Sequence, residues 1–149
     1  MKIDELLREE LIFLDLAASD KMEVINYLAG KMSADEGVVD CERLLSDIIQ
    51  REEDIPTGLE NGAAIPHARS VGVSRLVMSF ARLKDGVDFG AQDGQPARLI
   101  FQFGVPPTQI SSYLKMLAKL SRLLKKRDLR TELLQAKTPS EVVNAFSGQ

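Results

Sequence analysis

Imidazole and thiol each occur once in this 149-residue chain, as His67 and Cys41, and tryptophan is absent. A single thiol forms no internal disulfide, which fits a reducing compartment, the cytoplasm. One histidine and one cysteine on different elements do not make the ligand cluster of a transition-metal site, so no metal and no cofactor are expected. Aromatic residues are only 5% of the chain, too few for a base-stacking platform. The net charge of −3 gives no general attraction to nucleic acid or to an anionic membrane. No apolar run approaches the roughly eighteen residues of a membrane span. The N-terminal MKIDELLREE carries acids where a secretory signal would be apolar. Neither G-x-G-x-x-G nor G-x-x-x-x-G-K-[ST] occurs. One domain covering residues 1–149 is expected.

The apolar pattern supplies the elements that are present. Ser19-Asp20 caps a helix whose inner face is Ile25, Leu28, Ala29 and Met32. A second helix starts near Asp40, with Cys41, Leu44, Leu45, Ile48 and Ile49 as its buried stripe, and stops at Pro56 and Gly58. Three short apolar or alternating runs follow and read as strands: AAIP (63–66), RLVMSFARL (75–83) and ARLIFQFGVP (97–106). A turn-rich KDGVDFGAQDGQP joins the last two. A long helix is expected from Gln109 to Lys126, with Ile110, Leu114, Leu117, Ser121 and Leu124 as one stripe, broadened by Leu120 and Leu123. A last helical stretch follows Thr138. Helices at both ends around central strands predict an α/β domain, a mixed β-sheet sandwiched between helices on both faces.

His67 stands directly after Pro66 at the exit of an apolar run, and its type admits three roles. It can be a structural histidine satisfied by a backbone carbonyl. It can be a metal ligand, although partners for that are missing. It can be a nucleophile, because neutral imidazole is abundant near pH 7. Phosphoryl acceptance asks for an exposed ring nitrogen, a fixed ring and donors for the phosphoryl oxygens. Pro66 stiffens the approach, Gly58 and Gly62 permit tight turns that could aim amides at the ring, and Arg51 carries the side chain best shaped for phosphate oxygens. Arg69 is nearer in sequence, alongside the ring or solvated.

The segment REEDIPTGLENGAAIPHAR, with Arg51-Glu52, Thr57-Gly58 and Gly62-Ala63-Ala64-Ile65-Pro66-His67, resembles an active-site segment. The family is the enzyme IIA domains of the fructose–mannitol type (type 2) of the phosphoenolpyruvate-dependent sugar phosphotransferase system, which includes the nitrogen-regulatory IIA proteins. GVDFGAQDGQPARLIFQFGVP and SYLKMLAKLSRLLKKRDLRTELLQAKTPSEVV resemble its later blocks, so the likeness runs in order from about Ala17 onward. The resemblance implies that His67 accepts a phosphoryl group from a histidine phosphocarrier, HPr or a paralogue. It implies that Arg51 lies beside the ring and that the Thr57 hydroxyl assists. Many members carry a second histidine where this chain has Tyr113, whose hydroxyl can hydrogen-bond but cannot carry positive charge; equally, Tyr113 can simply pack on its helix. Glu60 replaces a small residue and joins Glu52, Glu53 and Asp54 in an acidic rim able to steer a basic carrier.

With no IIB or IIC segment fused, the resemblance points to the regulatory branch acting on a target protein. The alternatives are a sugar-transport subunit passing phosphate to a separate IIB protein, and a docking module that is not phosphorylated. The basic residues Lys115, Lys119, Arg122, Lys125, Lys126, Arg127 and Arg130 are expected on the solvent face of the long helix, favoured by its dipole.

Overall fold

Along VMSFARL the side chains alternate between two apolar environments, which requires a strand covered on both sides. In the computed structural model, which describes residues 2–149, this segment lies in β5 (Val77–Val87), antiparallel to β6 (Ala97–Val105). Met78 and Phe80 join Phe101 and Phe103 in one core, while Ala81 and Leu83 join Ile100 in another and Val77 packs in a third. The first core is closed by α1 (Ile3–Leu6), α4 (Ile110–Leu123), α5 (Arg127–Gln135) and α6 (Pro139–Ala145). The other two are closed by α2 (Lys21–Met32) and α3 (Cys41–Asp54). The fold is therefore α/β, a mixed sheet with helices on both faces.

Six strands make the sheet, adding β1 (Leu7–Leu16), β2 (Gly58–Leu59), β3 (Ala63–Ala64) and β4 (His67–Arg69). Their order is β1-β5-β6-β3-β2, and β4 also pairs with β6. β1 is parallel to β5, β2 is antiparallel to β3, and both β3 and β4 run parallel to β6. The chain from 63 to 69 is thus one strand interrupted at Ile65-Pro66.

Several elements differ from the expectation. Ahead of the first expected helix stand two elements the apolar pattern did not place, the short α1 and the ten-residue β1. AAIP is not one strand to Pro66: Ile65 N–H turns to Thr57 O at 3.2 Å, Pro66 has no N–H to give, and pairing with β6 resumes at His67. β5 continues through the Lys84-Asp85-Gly86 turn signal to Val87, because a register irregularity after Arg82 absorbs the extra residues. The inner face of α4 is Tyr113, Met116, Leu120 and Leu123, and Leu114 is exposed. The expected stripe is rotated: Ile110, Leu114, Leu117 and Ser121 are not fully buried, and Tyr113 and Met116 take the inner face. α4 ends at Leu123 and a separate α5 follows, with Arg130 Nη1 donating to Leu124 O at 2.8 Å across the break.

Helix starts follow the expected chemistry: the carboxylates of Asp20 and Asp40 and the Thr138 hydroxyl each accept an N–H of the first turn. Arg82, buried in the middle of β5, is tolerated because it is partnered. Its Nη1 donates to Leu133 O, Leu134 O and Ala136 O, tying the C-terminus of α5 to the sheet, and its Nη2 meets Asp15 at 3.1 Å. On α3 the buried positions are Leu44, Ile48 and Glu52, so an apolar stripe ends in a carboxylate. Cys41 is half-buried at the edge of that stripe, its thiol on Ala29 O at 3.3 Å.

Candidate functional site

The in-register pairing of His67 with Phe103 puts the imidazole on the α4 side of the sheet. There it stacks on the Phe103 ring, with centroids 5.4 Å apart and planes 14° apart. Tyr113 of α4 closes over it, centroids 5.5 Å apart and planes at 41°. Only 9% of the residue is exposed, so its ring is held on two sides. The ring is also fixed in rotation. Nδ1 lies 2.7 Å from Ile65 O, and a carbonyl can only accept, so Nδ1 carries the hydrogen. That assignment leaves Nε2 with its lone pair, and Nε2 has no hydrogen-bond partner among the described residues.

Burial pushes the His67 pKa below the usual 6.5; the bond to Ile65 O works against this, the nearby Arg51 charge adds to it, and Glu52 opposes it. The imidazole is therefore neutral at pH 7. In the unfolded chain it binds a proton more readily than in the native one, so the contribution is complete above about pH 6.5 and is lost as pH falls. Urea unfolding should show this fall in stability below pH 6.5 in the wild type, and a smaller one in His67→Gln.

His67 lines a cleft of about 650 Å³ between the C-terminal half of α3 and the start of α4. Arg51 and Asp54 come from α3, Arg69 from β4, Tyr113 and Leu114 from α4. Arg51 is anchored by Nη1, which donates to Ile55 O at 2.8 Å at the end of its helix. Its charge acts on both His67 and Tyr113. Burial raises the Tyr113 pKa above its usual 10, with Arg51 opposing, so the phenol is a neutral O–H donor at physiological pH. The cleft thus joins a bare imidazole nitrogen, a guanidinium and a phenol.

Other residues singled out in the sequence stand elsewhere. Thr57 is buried, and its hydroxyl and N–H both donate to the Glu52 carboxylate, at 2.5 and 2.8 Å. Gly62 serves the β2–β3 turn with φ +81°, following Asn61 at φ +71°. Its carbonyl accepts from Arg98 and Leu99 N–H. The Gly58 amide donates to Phe89 O, and a Cβ there would meet that oxygen at 2.6 Å. Neither glycine lines the cleft. Glu60 lies in a separate groove of about 510 Å³ with Leu59, Leu124 and Lys125.

Glu52 is not part of an acidic rim. It is 1% exposed, faces inward, and lies 3.5 Å from Lys21 Nζ; the acids that do line the cleft are Asp47 and Asp54. Sequence reasoning missed it because it sits among exposed acids. The available signal was its i, i+4, i+8 spacing with Leu44 and Ile48. Among the described residues no group of three or more His, Cys, Asp or Glu side chains is arranged to hold a metal ion. Among the described residues no helix is long and apolar enough to cross a membrane.

Known proteins resemble this chain in sequence and in fold. A fructose-specific EIIA component of Haloferax volcanii is 37% identical over 93% of the chain and 90% of its own length. The fructose-specific EIIABC component of Bacillus subtilis is 33% identical over 99% of the chain, which spans only 23% of that larger protein. The crystal structure of the nitrogen regulatory protein IIA-Ntr from Neisseria meningitidis superimposes with a TM-score of 0.91 at 29% identity, covering 97% of this chain and 99% of that one. The likeness begins ahead of Ala17, since the family model takes in β1 as well. With residues 5–148 matched by that model, the chain belongs to the EIIA 2 family of the phosphoenolpyruvate-dependent sugar phosphotransferase system.

Proposed function

We propose that this chain, as one IIA unit in the cytoplasm, accepts a phosphoryl group on Nε2 of His67 from a histidine phosphocarrier, HPr or a paralogue. The observation that carries this is the Nδ1 bond to Ile65 O, which leaves Nε2 as the nucleophile beside Arg51 and Tyr113. The Nε2 lone pair attacks phosphorus as the N–P bond of the donor breaks, and that bond's electron pair returns to the donor imidazole. The hydrogen stays on Nδ1, donated to Ile65 O throughout, so no proton has to leave. Arg51 meets the charge of the phosphoryl oxygens and the Tyr113 hydroxyl donates to one of them. Asp47 and Asp54 give the cleft an acidic border suited to a basic carrier face.

Likeness to the Neisseria regulatory protein over nearly all of both chains supports the regulatory type, in which phosphorylation alters binding to a target protein. The Haloferax fructose component, similar over 90% of its length, supports a second reading: a transport IIA that hands the group to a separate IIB protein. Incubation with phosphoenolpyruvate, enzyme I and a histidine carrier should label the protein in an acid-labile, base-stable form. A fructose-type IIB protein then discharges the label under the second reading and leaves it in place under the first. Wild-type protein that takes no label would instead be a docking module.

A further inference from the structure

Behind His67 a chain of hydrogen bonds leads to a carboxylate that the phosphoryl step does not touch. His67 Nδ1–H donates to Ile65 O at 2.7 Å, and Ile65 N–H donates to Thr57 O at 3.2 Å. Thr57 in turn gives its N–H and its O–H to the two oxygens of Glu52, at 2.8 and 2.5 Å. Lys21 of α2 lies 3.5 Å from the same carboxylate. Glu52 is almost wholly enclosed, at 1% exposure. A carboxylate is costly to bury, and holding the Thr57 turn does not require a charge: a glutamine side chain of the same shape could accept the Thr57 N–H.

Consecutive residues of α3 supply opposite charges to the site. Arg51 lines the cleft in front of the imidazole, and Glu52 lies inside, at the far end of the hydrogen-bond chain. We propose that Glu52 is a positioning residue of the relay: through Thr57 and Ile65 it fixes the His67 ring, and its buried negative charge opposes the charge of the phosphoryl group, keeping phospho-His67 a ready donor. This rests on His67 being the phosphoryl acceptor. When the group leaves, the Nε2–P bond breaks, its electron pair returns to Nε2, and the hydrogen remains on Nδ1, donated to Ile65 O. The other charged or titratable groups facing the imidazole region are Asp47, Arg51 and Asp54 of α3, Arg69 of β4 and Tyr113 of α4. The charge of Glu52 raises the proton affinity of the imidazole and that of Arg51 lowers it, as the arrangement requires.

The test uses the full chain with Glu52→Gln and Lys21→Met. In the unphosphorylated proteins, NMR titration of the only imidazole should move to lower pH in Glu52→Gln, with less of the Nδ1–H tautomer, and to higher pH in Lys21→Met, which leaves the Glu52 charge less balanced. At equilibrium with a phosphorylated carrier, Glu52→Gln should shift the phosphoryl partition toward this protein by about fivefold, and Lys21→Met should shift it away. A folded Glu52→Gln with wild-type titration, tautomer and partition overturns the proposal. Should Glu52→Gln not fold, an unchanged Lys21→Met overturns it alone. Absence of label on the wild type defeats the phosphoryl-acceptor reading instead, and the titrations still decide whether Glu52 acts on His67.

Discussion

Replacing His67 with alanine removes all phosphoryl label from the protein. The expectation is absolute because the chain has no second imidazole to take over. The neighbours offer no substitute: the Tyr113 phenol is a neutral hydroxyl whose pKa burial has raised, and arginines are not nucleophiles at this pH. The substitution also leaves Ile65 O without its donor and opens a gap between Phe103 and Tyr113. An orphaned buried acceptor costs about 1–3 kcal/mol, and the gap adds to it. Far-UV circular dichroism and thermal unfolding must therefore accompany the labelling assay. A native-like spectrum with no acid-labile label is the expected pair of results. Label persisting on a folded His67→Ala protein would place the phosphoryl group elsewhere.

The second large effect is at Arg51, where alanine should slow phosphorylation about a hundredfold, the usual scale for removing one donor aimed at developing charge. Two features make the loss kinetic rather than structural. Arg51 sits in the last turn of α3 and is only half-buried, and the one hydrogen bond its guanidinium makes among the described residues is to the exposed Ile55 carbonyl, which water can satisfy. Its charge nevertheless reaches both His67 and Tyr113. Lysine at this position restores charge without the planar fork and should recover part of the rate. Rapid-quench labelling with saturating carrier separates this from weakened docking: the rate at saturation falls in Arg51→Ala, while the unfolding midpoint stays near wild type. An unchanged rate at saturation would remove Arg51 from the phosphoryl site.

How much of this the sequence discloses depends on how local each signal is. β5 and β6 announce themselves because both faces are buried and small and large residues alternate along VMSFARL. The caps at Asp20, Asp40 and Thr138 are readable for the same reason, as each acts within one turn. β1 is not readable. It pairs only with β5, its burial does not alternate, and register irregularities between Leu7 and Ile12 and between Phe13 and Leu16 erase the period of two. The face of α4 is rotated because Met116 carries no weight in a count of leucines, whereas Tyr113 packs on its helix as one of its two readings allows. At the site, the Pro66-His67 dipeptide and the approach of Arg51 are visible in the chain. The inward turn of Glu52 leaves only its i, i+4, i+8 spacing with Leu44 and Ile48 as a trace, easily lost among three neighbouring acids. The destination of the Thr57 hydroxyl is not visible: it goes to that carboxylate and not to the cleft.

Which ring nitrogen of His67 bonds to phosphorus decides the mechanism, and one spectrum reads it directly. In uniformly ¹⁵N-labelled protein phosphorylated from phosphoenolpyruvate through enzyme I and the carrier, the ³¹P–¹⁵N coupling should fall on Nε2, with Nδ1 still protonated. Coupling to Nδ1 would mean that the bond to Ile65 O is broken in the phosphorylated state, and the mechanism drawn from it would be wrong.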